Sequence, residues 1–498
     1  MVDLSLRRSG ILLPLFSLPG STGIGTMGET AFKFIDKLKA SGQTYWQILP
    51  LGITGFGNSP YQCFSSYAGN PLFIDFDLLS KKGYLNKRDY SLIKWCDEET
   101  KINYETVFSG RKKVFHKLFE NFKKNIPEDF YIFEEKEDYW LRDFSLFMSI
   151  KEANKNASFF SWENSKLKRR DKAELLLFEK ENKEDILYHK MLQYFFFSQW
   201  YDLKSYANEK GINIIGDLPY YVSSDNAEVW ANPENFSIDE NFNIQYVAGC
   251  PPDNFSPDGQ LWGNVIYNND YIIKSGYKLW LSRFAFAKEM YDVIRIDHFK
   301  AFEAYYAIDF SENTAKNGRW LDGAGLDFFK TLKEKEGSIP IIAEDLGFKT
   351  TELRNLLSEC GFPGMKILQF AFDGDSDNEY LPHNYPKNTV VYTGTHDNDT
   401  MLGFILSADK EKLKKAKEYL RTRKTTLLLR ESIFAVLSSV SNLCIIPLQD
   451  LIGLDSSGRI NIPSTIRGNW QWRCTHDQLK NIDYESLLRY TRLYGRTE

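Results

Sequence analysis

The sequence has no Cys-x-x-Cys pair. Its six cysteines (Cys63, Cys96, Cys250, Cys360, Cys444 and Cys474) are scattered, which argues against a disulfide framework and predicts free thiols in a reducing compartment. No apolar run is long enough to span a bilayer. The opening Met-Val-Asp-Leu-Ser-Leu-Arg-Arg enters Ile11-Leu-Leu-Pro14 without the apolar stretch and small-residue cleavage site of a secretory signal. A cytoplasmic protein with no membrane partner is the expectation. Basic excess is missing too, and a net charge of −5 argues against nucleic acid or an anionic membrane as partner. Repeats and low-complexity tracts are absent. What remains is a chain of 498 residues with ordinary hydrophobic (43%) and charged (26%) content, enough for a large enzyme core. The aromatic share of 15% is the unusual figure; it is ample material for flat stacking surfaces, although most of it is expected to be core.

Eight short apolar runs read as parallel strands: 10–14, 45–50, 212–217, 293–297, 339–344, 365–370, 389–393 and 443–447. Helical patterns lie between many of them, including Thr351–Cys360 and Lys410–Lys424. Eight strands with intervening helices predict an α/β (β/α)₈ TIM barrel, with a doubly wound sheet as the alternative. The gap between the second and third runs is far longer than one crossover helix requires. Within it Val107, Val114, Leu118 and Phe122, and then Trp140, Phe144 and Phe147, recur at helical spacing, and Ile186 to Trp200 is dense in aromatics. We therefore expect residues 1–498 to form one catalytic unit, with 80–205 a mainly helical insertion between strands 2 and 3. The charged run Lys166–Lys172 reads as a solvated face. The tail after the eighth run is too short for a C-terminal β-domain.

Three of the strand-like runs end in acids: Val293-Ile-Arg-Ile-Asp-His298, Ile341-Ile-Ala-Glu-Asp-Leu346 and Val390-Val-Tyr-Thr-Gly-Thr-His-Asp397. Strand C-termini are where a (β/α)₈ barrel keeps its chemistry. Arg295 and Asp297 leave the same face of a strand, so the guanidinium favours an ionised Asp297 fit to be a nucleophile. Glu344 follows an apolar run, where desolvation raises its pKa and suits it to proton donation. One charged acid and one poised acid are the parts of a retaining glycosidase, and Asp397 beside His396 supplies a third polar site for sugar hydroxyls. His298 and His396 each adjoin a key Asp, so a metal site is the competing reading, although no H-x-H or H-x-x-x-H pair is present.

Sugar binding needs flat apolar faces with planar hydrogen-bonding groups. The Gly- and Pro-rich segment Gly249–Asn264 carries Phe255 and Trp262 with Asp253 and Gln260, and residues 245–265 read as a substrate or acceptor loop. Asn58-Ser-Pro-Tyr-Gln62 offers a second surface through Tyr61, and Gly55 and Gly57 beside it supply turns but not a phosphate loop.

These stretches resemble the amylomaltases, the 4-alpha-glucanotransferases also called disproportionating enzymes. The likeness runs through Gly10–Gly25, Trp46–Pro71, Ile215–Pro219 to Val229–Pro233, Val247–Asn264, Arg295–Phe299, Ala343–Gly347, Thr393–Thr400 and Arg459–Trp472. It implies a TIM barrel without the C-terminal β-domain of α-amylases, and no cofactor or metal. It further implies transfer of α-1,4-glucan segments through a β-glucosyl-enzyme. By matching motif, Asp297 is the expected nucleophile, Glu344 the acid/base and Asp397 the transition-state stabiliser. Tyr61, Asp217, Arg295 and His396 are expected to line the donor subsite and Trp262 the acceptor side, with Ser59, Asp253, Phe255 and Asn461 as further substrate-binding candidates. The implied partners are maltooligosaccharides and α-1,4-glucans as donor and acceptor, with glucose as acceptor or product. A hydrolase with the same carboxylates, and a metal-dependent barrel hydrolase, stand as alternatives. Phe56, Asn254, Lys300-Ala301 and Ser464 depart from the family pattern, and the departures bear on acceptor preference and product size rather than on the reaction.

Overall fold

Buried on both faces, strands rich in Val, Ile and Leu close on themselves in the computed structural model, which describes residues 2–252, 256–347, 349–465 and 467–497, with Phe56 described by its backbone alone. The strands are β1 (Arg8–Leu12), β2 (Tyr45–Gln47), β3 (Asn213–Pro219), β4 (Val293–Asp297), β5 (Ile341–Ala343), β6 (Gly364–Ile367), β7 (Thr389–Tyr392) and β8 (Leu443–Pro447). All pair in parallel with their neighbours in sequence, and β1 closes on β8 with Arg8 opposite Leu443. This is the (β/α)₈ barrel expected, and the closed order rules out a doubly wound open sheet. Most strands end earlier than the apolar runs suggest, because residues such as Ile48–Pro50 already belong to the loop that leaves the barrel mouth.

Strand alternation decides which side chains face the axis. Tyr45, Ile215, Val293, Ile342, Met365 and Tyr392 belong to one interior cluster, whereas their neighbours Trp46, Ile214, Ile294, Ile341 and Val391 face the helical layer. Counting on by two carries the inner face from Ile215 to Asp217, from Val293 to Arg295 and Asp297, and from Ile342 to Glu344. Those four side chains therefore converge at the C-terminal mouth for a geometric reason.

Between β2 and β3 lie the long helices Tyr104–Phe122, Glu128–Ala153 and Lys183–Glu209. Asn103 caps the first by accepting the N–H of Thr106. The helices meet through aromatic rings, with Phe122 and Phe130 at 5.2 Å and Trp140 and Phe197 at 5.7 Å. The charged run Lys166–Lys172 is more than a solvated face: Arg170 pairs with Asp143 at 2.7 Å and lies over the Trp230 ring. Lys410–Tyr419 forms a helix shorter than its pattern predicts, because the chain turns at Arg421 in the left-handed region (φ 54°). Among the described residues no strand follows β8, and no helix is long and apolar enough to cross a membrane.

A four-stranded antiparallel sheet, in the order Gln260–Val265, Tyr246–Cys250, Ala304–Asp309 and Arg319–Asp322, stands beside the mouth. The segment read as a loop from its Gly and Pro content is thus a hairpin, with Gly249 opposite Leu261 and Cys250 opposite Gln260. Backbone pairing overrides the turn residues at its two ends.

Gly69 locks the insertion to the barrel. Its N–H and C=O both bond the Gln193 side chain, at 2.8 and 2.9 Å, and a Cβ there would stand 2.0–2.4 Å from the Phe196 ring. Overpacking at such a contact costs about 1–3 kcal/mol, so Gly69→Ala is expected to lower the unfolding free energy by that amount and with it the denaturant midpoint. A midpoint equal to that of the wild type would contradict the account.

Candidate active site

At the mouth, Arg295 Nη1 donates to both oxygens of Asp217 (2.7 and 2.6 Å) and more distantly to Asp297 Oδ1 (3.3 Å). The register explains the triangle, since Asp217 lies opposite Arg295 and Pro219 opposite Asp297 on adjacent strands. Spacing along β4 placed Arg295 beside Asp297 on one face, and the structure adds a closer partner, the acid across the ladder. Tyr61 extends the lattice: its hydroxyl donates to Asp217 Oδ2 (2.7 Å) and meets His396 Nε2 (2.9 Å), while its ring stacks on that imidazole at 5.4 Å. Trp470 closes this corner, 5.9 Å from Tyr61 and 6.0 Å from His396.

Glu344 lies opposite, directly after β5. Its carboxylate accepts the backbone N–H of His298 (2.7 Å) and of Leu346 (3.0 Å). His298 follows Asp297 and holds a left-handed backbone (φ 52°), uncommon for a residue with a Cβ, which turns its N–H toward Glu344. The two acids are thereby joined through one peptide unit. Asp397 enters from the loop after β7. Its Oδ1 accepts from Asn461 Nδ2 (2.7 Å), its Oδ2 lies 3.4 Å from His396 Nε2, and its carbonyl accepts from Arg459 (3.0 Å). Buried Asp450 braces the loop, accepting from Thr393 Oγ1 and the N–H of Met401.

Burial pushes the Asp297 carboxyl well above the ordinary carboxylate range; Arg295 opposes the rise, and Asp217, Glu344 and Asp397 add to it. Because 28% of its side chain opens at the mouth, solvent tempers the shift. Burial also raises Glu344, against Arg295 and the two backbone donors. Burial thus lets both acids keep a proton to higher pH than free carboxylates would, which corrects the expectation that Arg295 alone holds Asp297 ionised, although the direct Arg295 contact falls on Asp297. Burial lowers His396 and takes His298 down to about 4, leaving both imidazoles neutral near pH 7 and able to donate to or accept from hydroxyls.

The structure thus gathers Asp217, Arg295, Asp297, Glu344, His396, Asp397 and Tyr61 at one mouth. Asn461 is there as well, but on the Asp397 carboxylate. Ser59 shapes the turn that carries Tyr61, its Oγ accepting the Tyr61 N–H at 3.3 Å. Trp262 reaches the site edge-on to the His298 ring (5.0 Å, 89°). Asp253 and Phe255, with Asn254 between them, lie outside the described residues. Trp470 and Arg459 were not singled out from the sequence, although both fall in the 459–472 stretch of the resemblance. Among the described residues no group of three or more His, Cys, Asp or Glu side chains is gathered so as to hold a metal ion.

Residues 13–479 match the family described as 4-alpha-glucanotransferase. A 4-alpha-glucanotransferase of Clostridium butyricum is 48% identical over 484 residues, covering 97% of this chain and 99% of that protein. One from Streptococcus pneumoniae is 42% identical, covering 98% of this chain and 97% of its own. The solved amylomaltase of Streptococcus agalactiae in complex with acarbose superimposes with a TM-score of 0.97 at 41% identity, over 99% of this chain and 100% of that one.

The raised acids have a consequence for stability. The folded state holds protons that the unfolded chain has released between the ordinary carboxylate range and the raised folded values, so stability in that window rises as pH falls. Asp297→Asn removes a repelled buried charge, and is expected to raise the unfolding midpoint at pH 7 by an increment that shrinks as the buffer is made acidic. Thermal unfolding of both proteins across pH 4–8 measures it, and a variant less stable at every pH would contradict the sign.

Proposed function

This chain belongs to the 4-alpha-glucanotransferase family, and on that premise we propose that Asp297, Glu344 and Asp397 divide its chemistry as nucleophile, acid/base and transition-state stabiliser. Its activity is the transfer of α-1,4-glucan segments from a donor to the 4-hydroxyl of an acceptor by retaining double displacement. In the first step the Asp297 carboxylate forms a bond to the anomeric carbon as the glycosidic bond breaks, and Glu344 gives its proton to the departing glucan oxygen. In the second an acceptor 4-hydroxyl gives its proton to Glu344, its oxygen bonds the anomeric carbon, and Asp297 leaves as carboxylate. The observation that carries this division is the 2.7 Å bond from the His298 N–H to Glu344, which sets the acid beside the residue that follows the nucleophile.

Asp397 is held by Asn461 with its second oxygen toward His396, an arrangement suited to gripping ring hydroxyls as charge develops on the sugar. Tyr61, Asp217, Arg295 and His396 line the donor subsite in this reading, and Trp262 the acceptor side. Residues 1–498 work as one catalytic unit beside which the helices of 80–205 form a wall. Donors are maltooligosaccharides and longer α-1,4-glucans, and glucose serves as acceptor or product.

Maltotriose separates transfer from hydrolysis. Longer maltooligosaccharides plus glucose at a constant count of reducing ends are expected, whereas rising reducing ends without a ladder would establish a hydrolase. Asp297→Asn is expected to remove turnover by at least about 10³-fold while the circular dichroism spectrum stays that of the wild type; wild-type rates in that variant would sink the nucleophile assignment.

A further inference from the structure

The neighbours Tyr61 and Gln62 reach opposite sides of the mouth. The Tyr61 hydroxyl holds Asp217 and His396. The side chain of Gln62 instead donates to Asn264 Oδ1 at 2.8 Å and approaches the Trp262 carbonyl at 3.5 Å, 200 residues away in sequence. The Gln62 backbone is fixed in its own turn, its N–H donating to Ser59 (3.1 Å) and its C=O accepting from Gly55 (2.7 Å). Asn264 is 6% exposed, and its amide is used on both ends, accepting from Gln62 and donating to the Val222 carbonyl at 2.9 Å.

Gly263, between Trp262 and Asn264, takes a left-handed backbone (φ 75°) and the ladder with Tyr246–Cys250 shifts register there, so strand alternation does not fix the two side chains on one face. Gln62 reaches Trp262 through the main chain instead, at the Trp262 carbonyl and at Asn264 two residues on. The Trp262 ring meets His298 edge-on, and the His298 N–H binds Glu344. One dipeptide thus fixes the carboxylate lattice through Tyr61 and the hairpin aromatic through Gln62.

We propose that Gln62 is the positioning residue that decides between an acceptor sugar and water at the glycosyl-enzyme, by holding Trp262 where an incoming sugar stacks and covers the reacting carbon. This rests on the reading of Asp297 and Trp262 given above. Either nucleophile breaks the bond from the anomeric carbon to Asp297 and passes its proton to Glu344, but only water adds a reducing end. Without Gln62 the buried Asn264 oxygen loses its donor, so the strand re-seats or draws in water beside the site.

The test is Gln62→Met, which keeps length and removes the donor, assayed on maltotriose for glucose release and for reducing ends. The ratio of hydrolysis to transfer is expected to rise about fivefold, the factor of roughly one net hydrogen bond, with glucose release changing far less. Asn264→Ala is expected to give the same ratio and the double variant no more, because both cut one link. An unchanged ratio in Gln62→Met, or effects that multiply in the double variant, would overturn the role. So would a ratio that stays constant while glucose release and the unfolding midpoint fall together. The wild-type product ladder is read first: its absence would overturn the reading of the reaction itself, whereas a normal ladder with an unmoved ratio overturns only the part given to Gln62.

Discussion

Everything at the mouth depends on the buried ion pair of Arg295 with Asp217. Both side chains are almost fully withdrawn from solvent, at 4% and 1% exposure, and a single nitrogen of the guanidinium spans both oxygens of Asp217. Removing two charges from water is expensive, and such a pair persists only where geometry and further hydrogen bonds compensate. Here the Tyr61 hydroxyl supplies one of those bonds, and through it His396 is brought to the same carboxylate. The remaining reach of Arg295 extends to Asp297, which is therefore the third member of a network rather than one half of a pair. That is why Asp297 stays partly open and held at one corner while Asp217 is buried.

The barrel makes this network affordable in structural terms, because adjacent parallel strands bring Asp217 opposite Arg295 without any loop having to be ordered. Glu344 is held differently, by two backbone N–H groups that cannot swing away. One of them is aimed by the left-handed turn at His298, a local departure from favoured backbone that the surrounding strands sustain. Asp397 depends on neither device. It lies on a loop after the strand, braced from below by Asp450 and from the side by Asn461 and Arg459.

The hairpin ties these parts together. Trp262 stands against His298, Gln62 fastens the strand that carries Trp262, and Tyr61 beside Gln62 fastens Asp217. The side of the mouth that carries Asp217 and the side that carries Trp262 are therefore linked by packed rings and short bonds. In a reaction whose intermediate must meet a sugar before it meets water, such a link has a direct use.

By itself the sequence determined where the eight barrel strands lie, to within a few residues at their ends, and which acids follow them, but not the four strands of the sheet beside the mouth. Burial on both faces demands continuous apolar runs, and a strand's period of two makes Arg295 and Asp297 share a face wherever that strand is placed. The same local rules made the helices of the insertion legible from Val107, Val114 and Leu118, and the resemblance rested on motifs short enough to be read in line. Tertiary structure alone decided that Arg295 binds Asp217 more closely than Asp297, that Asn461 sits on Asp397, that Trp470 joins Tyr61 and His396, and that 245–265 forms a hairpin at its ends. Each of these pairs residues far apart in the chain, or, in the hairpin, sets backbone pairing against local turn preference. Such contacts follow from closure of the barrel and from the register between strands, and no window of sequence contains either.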